Sequence, residues 1–391
     1  MMEYKKLGNI CNIVSGGTPS RSKSQYWDNG NIPWIKIRDI KSKYIEDSEE
    51  FITIEGLNNS SAKLLTKGTV LYTIFATLGE VGILKIDACA NQAIAGLTVK
   101  DETKILPEYL YYYLKSKKNI VNKLGRGVAQ NNINLSMLKE FEIEVIDIVK
   151  QNNIIKTLNY VDDIIKFKSL ELKQLDELVK ARFVELFGDV RSNNNYPNVL
   201  FSECVEHSLR GPFGSDMKKS LYVPKNENTI KVYIQINAIQ KNENLGDYYI
   251  SKEYYDDKMY KFEVFPNEYI ITCDGTLGKL LKLSKNMEKG VISSSLLKLK
   301  LNYSLITDQY FEYVWNLCLL PQLISEARNA CLVHLPSMKV IGSKKIQLPP
   351  LELQNQFADF VKEVDKSRLE VQKSLKKTQE LFDSLMQKYF G

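Results

Sequence analysis

Apolar residues recur along Gln151–Gly188 in alternating steps of four and three, at Ile154, Leu158, Val161, Ile165, Leu172, Leu175, Val179 and Leu186, with Lys168 and Arg182 as interrupting members. That spacing predicts a coiled-coil helix of about 36 residues, roughly 54 Å long. The pattern returns in Gln354–Gly391, at Phe357, Val361, Val364, Val371, Leu375, Phe382, Leu385 and Tyr389, interrupted by Arg368 and Thr378. The two copies align without a gap, Val161-Asp162 on Val364-Asp365 and Phe187-Gly188 on Phe390-Gly391. A lone stripe of this kind would stay wet, so the economical partner for each copy is the other. Separate bundles or dimer interfaces are the less economical alternative.

Between the helical stretches the period changes from 3.5 to 2. NIPWIKIRDI, GTVLYTIFA, VGILKI, IAGLTVK and EFEIEVI read as strands in the first half, and KVYIQINAI, EYIITC, KLLKL and LLKLKL in the second. Pro107 opens a short tyrosine-rich helix through Lys115, and a matching helix is predicted near Asp308 to Leu319. Turn-rich stretches at SGGTPSR, GRGVAQNNINLS, RGPFGSDMKK and ARNACLVHLPS read as loops. The halves also correspond: Thr77-Leu78-Gly79 matches Thr276-Leu277-Gly278, Tyr109 and Tyr112 match Tyr310 and Tyr313, and Ser136-Met137 matches Ser337-Met338. Small insertions between constant blocks are what a diverged duplication leaves. The expected plan is a mixed α/β protein: a variable domain at 1–150, a helix at 151–188, a second variable domain at 189–353 and a second helix at 354–391. A linker of about nine residues reaches at most about 30 Å, well short of one helix, so the second domain starts near the far end of the first helix. A compact domain of about 150 residues has a radius of gyration near 15 Å, which brings its exit back towards its entrance. The second helix then runs back antiparallel to the first.

With 391 residues, 44% of them apolar, the chain can bury more than one core. No apolar run approaches a membrane span and MMEYKKLGN lacks a signal segment, so a cytoplasmic location is expected. The six cysteines form no CxxC pair and there are two histidines, which favours buried reduced thiols over a metal site or a disulfide framework. The net charge of +6 permits nucleic acid as a partner without requiring it.

No catalytic constellation is present: GxGxxG, GxxxxGK[ST] and HExxH are all missing, and GPFGSDMKKS has Asp216 where a phosphate loop needs glycine. Leu348-Pro349-Pro350 lacks the asparagine of a base-methylating motif, and Asp274 before glycine reads as a turn residue. Arginine beside asparagine or glutamine supplies the bidentate groups that read guanine and adenine edges. Arg126, Gln130, Asn131 and Asn132 hold that set on one loop. Other candidate DNA contacts are Thr18, Ser20 and Arg21 in the first turn, and Lys36 and Arg38, expected to share one strand face. In the second half they are Arg210, Ser215 and Lys218, then Gln235 and Asn237, expected on one strand face, and Arg328 and His334. A solvated loop or a wet sheet face accounts for any one of these side chains as well. The tyrosines at 109, 111, 112 and 113 suit a helix packed on the sheet better than a base-stacking platform.

In its doubled order of SGGTPSR, TLGEVGIL, GPFGSDMK, DGTLGK, LPPLELQNQ, VELFG and QKYFG, the chain resembles the specificity subunit of type I restriction-modification enzymes over essentially its whole length. The resemblance implies two target recognition domains, each reading half of a split, asymmetric sequence in double-stranded DNA. The helix pair would act as spacer and as docking platform for two modification subunits, to which restriction subunits can be joined. It also implies no catalysis and no cofactor on this chain, with S-adenosylmethionine, ATP and magnesium belonging to the partners. One departure stands out: VIDIVKQNN precedes the first helix where LPPLELQNQ precedes the second, so the two helix entrances are expected to differ. A fragment of a single-chain restriction enzyme and a coiled-coil scaffold without a DNA role are the competing readings.

Overall fold

The structure, a computed structural model, describes residues 3–118, 121, 133–188, 195–235, 239, 247–329 and 334–391, with the backbone alone of 327–329. It divides into two compact units, Met1–Leu170 with Gln372–Gly391, and Glu171–Val371.

In the first unit the apolar stretches pair into a five-stranded sheet in the order Cys11–Ser15, Ile94–Val99, Val70–Thr73, Val81–Leu84, Tyr44–Ile45. The last strand joins parallel and the others antiparallel. Three strands are buried at nearly every position because both faces are covered, which is why they read as continuous apolar runs rather than as alternation. Pro107–Ser116 covers one face. Proline at its first position leaves no N–H to satisfy, and Tyr109, Tyr111, Tyr112 and Tyr113 are all buried. A smaller sheet, Phe51–Ile52, Ile32–Ile35, Cys89–Ala90, carries its own cluster around Trp34.

The second unit repeats this order. Val205–Arg210, Leu296–Leu301, Tyr269–Thr272 and Leu280–Lys282 form an antiparallel sheet, and Tyr248–Ser251, Thr229–Tyr233, Gly290–Ile292 and Glu263–Val264 form the smaller one. Each small sheet contains one parallel pair, Trp34 opposite Cys89 and Lys231 opposite Gly290. The aromatic helix Asp308–Val314 continues through Trp315–Leu319 into Leu320–Asn329.

Two long helices, Ile148–Phe187 and Leu351–Phe390, begin three residues before the expected Gln151 and Gln354. Pro350 stands just before the second start, where a missing N–H costs nothing. In the first unit Ile155, Leu158, Val161 and Ile165 share a core with Phe382, Leu385, Met386 and Phe390. In the second, Leu175, Val179, Phe183 and Phe187 share one with Phe357, Val361 and Val364. The start of one helix thus meets the end of the other in each unit, the antiparallel arrangement. Arg368 bonds Asp176 at 2.8 Å and fixes the register in the second unit. None of the sixteen predicted seam residues is exposed. Each long helix ends in a phenylalanine lodged on an aromatic helix, Phe390 5.2 Å from Tyr109 and Phe187 4.9 Å from Tyr310.

The two helix entrances, expected to differ, are built alike. Gln151 and Gln354 are both 0% exposed. Gln151 Oε1 accepts from Leu106 N at 3.0 Å while its Nε2 donates to the carbonyls of Lys104 and Ile146. Gln354 Oε1 accepts from Thr307 N at 2.8 Å while its Nε2 donates to Leu305 and Pro349. Each amide side chain clamps the start of the aromatic helix to the start of the long helix, and the clamp does not depend on the prolines.

Candidate nucleic-acid interface

At one end of each main sheet the same backbone device recurs. Thr73 accepts from Glu80 N at 2.8 Å through Oγ1 and from Gly79 N at 3.1 Å through its carbonyl. Thr272 does the same for Lys279 and Gly278, at 2.9 and 2.8 Å. The turn thus closed requires positive φ at Ala76 and Gly79 in one unit and at Gly275 and Gly278 in the other. Ile133 N donates to Ile74 O at 3.0 Å and Leu335 N to Cys273 O at 2.7 Å, tying a later stretch of each unit to the same turn. Gly16 and Gly211 sit opposite, bonded to Ile94 and Leu296. A Cβ there would fall 2.2 Å from Asn91 O and 1.9 Å from Ser293 O respectively, so both glycines are obligatory. Each platform therefore brings the turn after Thr73 or Thr272, the chain at Gly16 or Gly211 and the chain at Ile133 or Leu335 to one sheet edge, with different side chains on the two copies.

In the second unit the platform gathers charge. Arg210, the last residue of its strand, donates through Nη1 to Leu335 O at 3.0 Å and through Nη2 to Asp274 Oδ1 at 3.4 Å. His334 Nδ1 meets the same oxygen at 2.6 Å, and Asp274 and His334 also form an isolated antiparallel bridge. A Cβ on Gly275 would lie 3.7 Å from Gln235 Nε2, so the Gln235 amide belongs to this group. Ser215 and Lys218 are exposed on the neighbouring loop, beside Phe213, which is 83% exposed. Three sequence candidates, Arg210, Gln235 and His334, thus come together. Asp274, read as a turn residue, does occupy a turn and also holds two of them.

In the first unit the candidates are engaged otherwise. Thr18 bonds Gln92, Ser20 Oγ lies 2.9 Å from Ser22 Oγ, and the Arg21 guanidinium stacks 3.6 Å from the Trp27 ring centroid. Lys36 and Arg38 were expected on one strand face, but the strand ends at Ile35 and Ile37–Asp39 is a 3-10 turn. Asp39 accepts from Lys36 N at 2.7 Å and ends the strand there. Lys36 and Arg21 pair with Glu50, and Arg38 Nε pairs with Glu49 at 2.7 Å. Burial pushes the Glu50 carboxyl up, yet hydrogen bonds from Lys36 and Arg21 outweigh it and hold the carboxyl below its usual range. Gln235 likewise lies beyond its strand, which ends at Tyr233. Arg126, Gln130, Asn131, Asn132, Asn237 and the Arg328 side chain lie outside the described residues.

Two units of one design, each with a loop-bearing sheet edge and each pairing the start of one long helix with the end of the other, define an internally duplicated protein. Residues 1–177 and 214–381 match the family described as type I restriction modification DNA specificity domain, and the chain belongs to that family. It is 26% identical to the type I restriction enzyme MjaIX specificity subunit of Methanocaldococcus jannaschii, over 99% of this chain and 92% of that protein. It is 30% identical to the EcoR124I/EcoR124II specificity subunit of Escherichia coli over 41% of each chain. The fold is shared with a chain from a structure concerned with complex assembly and conformational transition of the type I R-M system. That chain has a TM-score of 0.63 at 15% identity, covering 100% of this chain and 97% of its own. It is shared too with the S subunit from M. genitalium, with a TM-score of 0.54 at 15% identity, covering 100% and 96%. Among the described residues no helix is long and apolar enough to cross a membrane.

Proposed function

We propose that this chain is the DNA sequence-recognition subunit of a cytoplasmic type I restriction-modification complex, with one half of a bipartite site read by each unit. The observation that carries this is the doubled platform: one backbone device, built twice, bearing different polar side chains. A reader of two unlike half-sites needs a constant scaffold with exchanged contact groups. The recognition domains correspond to 1–150 and 189–353, and the helices 151–188 and 354–391 set the spacing between half-sites. Two modification subunits dock on the helix pair, and restriction subunits join them. S-adenosylmethionine, ATP and magnesium are used by those partners, and this chain performs no catalysis. Docking is supported by Tyr160 and Phe167, 70% and 69% exposed and two turns apart on one face of the first helix, since large apolar groups left in water favour a partner. The test is co-expression with the modification subunits in cells lacking the system, followed by mapping of methylated genomic sequence. A split motif that disappears when this chain is omitted is expected; methylation without dependence on this chain refutes the reading. The purified chain alone, given duplex DNA with S-adenosylmethionine or magnesium, should show no turnover.

A further inference from the structure

The cluster of Arg210, Asp274 and His334 gathers hydrogen-bonding groups on one carboxylate oxygen. The Asp274 carboxylate only accepts, so the His334 nitrogen facing it, Nδ1, carries a proton, and in the neutral form of the ring Nε2 is an acceptor. Arg210 uses two of its five N–H groups on Asp274 and Leu335, which leaves three to donate outward. Both heads rest on one oxygen atom, so they are adjacent and their relative positions are set by a turn that is itself fixed by backbone hydrogen bonds to Thr272, Cys273 and Leu335. Neither is buried: the side chains of Arg210 and His334 are 41% and 65% exposed. Two donors of Arg210 and the acceptor of the neutral His334 ring thus stand side by side. In the major groove a G·C pair offers the complement, the two acceptors N7 and O6 of guanine followed by the N4 amino donor of cytosine, whereas an A·T pair breaks that order with the N6 amino group.

We propose that Arg210 and His334 together read one G·C pair in the half-site of the second unit, Arg210 donating to guanine and His334 Nε2 accepting from the paired cytosine. Asp274 is the positioning residue that holds both. This rests on the DNA-reading function proposed above. Gly275, with φ of +64° and no side chain, keeps the turn beside the cluster low enough for a base edge to approach.

The test uses the full complex, co-expressed with its modification subunits, and maps methylated genomic motifs for the native chain and its variants. Arg210→Ala should leave the first half-site and the spacer unchanged. At one G·C position of the second half-site it should admit other pairs, with cognate methylation slowed roughly tenfold to a hundredfold. Asp274→Ala should relax the same position, and Asp274→Asn, which keeps an acceptor, should restore it; a merely structural role would move all positions or none. If Arg210→Ala abolishes methylation altogether, Arg210→Lys decides: relaxation at a single G·C pair supports the proposal, and any other result overturns it. A uniform loss with the motif unchanged marks a phosphate contact and overturns it, as does relaxation at an A·T pair. A native chain that directs no split motif would instead bring down the function on which the inference depends.

Discussion

Two buried polar residues in the first unit carry consequences out of proportion to their size. Replacing Gln151 with leucine keeps the volume but strands the N–H of Leu106 and the carbonyls of Lys104 and Ile146. An unsatisfied buried group costs about 1–3 kcal/mol, so the variant should unfold several degrees lower in calorimetry, and Gln354→Leu should do the same to the second unit. Lys43 is 7% exposed, donates to Asn159 Oδ1 at 2.7 Å, and lies 4.7 Å from the Tyr112 ring. Burial lowers its pKa to about 8. A lysine that loses its proton more readily when folded than when unfolded makes the unfolded state the better proton binder between about 8 and 10.5. The Lys43 contribution to stability should therefore rise with pH across that window, read as a difference in urea midpoint between the native chain and Lys43→Met that shifts in favour of the native chain as pH rises. Neither residue was legible in the sequence, because what makes each special is a partner far along the chain.

At the scale of elements, the helical period served well and the strand period less so. Sixteen seam positions chosen by steps of three and four all came out shielded, since a helix fixes which residues share a face. The same stripe overlooked Phe183 and Phe187, which are 1% and 0% exposed. They face a third element, with Phe183 stacked on Tyr310 and Tyr313, and a two-helix pattern carries no sign of it. Alternation failed at Lys36 and Arg38 because Asp39 caps a short 3-10 turn that ends the strand at Ile35, and the two cations meet Glu50 and Glu49 there rather than on a strand face. Asp274 was placed in its turn correctly, but partners 60 and 64 residues away could not be foreseen. Phe187→Ala should cost about 3–5 kcal/mol, measured by denaturant unfolding. Phe167→Ala, on the exposed face, should leave stability nearly unchanged while weakening co-purification of modification subunits.

For the whole molecule, the helix pair is testable as a ruler. The Asp176–Arg368 bond sets the antiparallel register and puts an insertion after Leu172 opposite one after Val371. Seven residues added at each point keep the apolar seam in phase and add roughly 10.5 Å, or about three base pairs at ~3.4 Å per step. The methylated motif of the variant should keep both half-sites and gain about three positions between them. An unchanged spacer, or altered half-sites with an unchanged spacer, would reduce the helices to scaffold.

The first unit is assembled from residues far apart in the order of synthesis. Glu171–Val371 is one unbroken segment, whereas Met1–Leu170 has Gln372–Gly391 as part of the same unit. Phe382, Met386 and Phe390 complete the core around Tyr109, Tyr113 and Val161. On the ribosome the segment made second can therefore close first, while the segment made first waits with an aromatic surface bare. A nascent chain stalled after Val371 should resist protease across Glu171–Val371 and be cut within the first 170 residues; release of the remaining residues should protect both. By the same reasoning, depletion of chaperones that bind nascent chains should expose the first unit to protease more than the second.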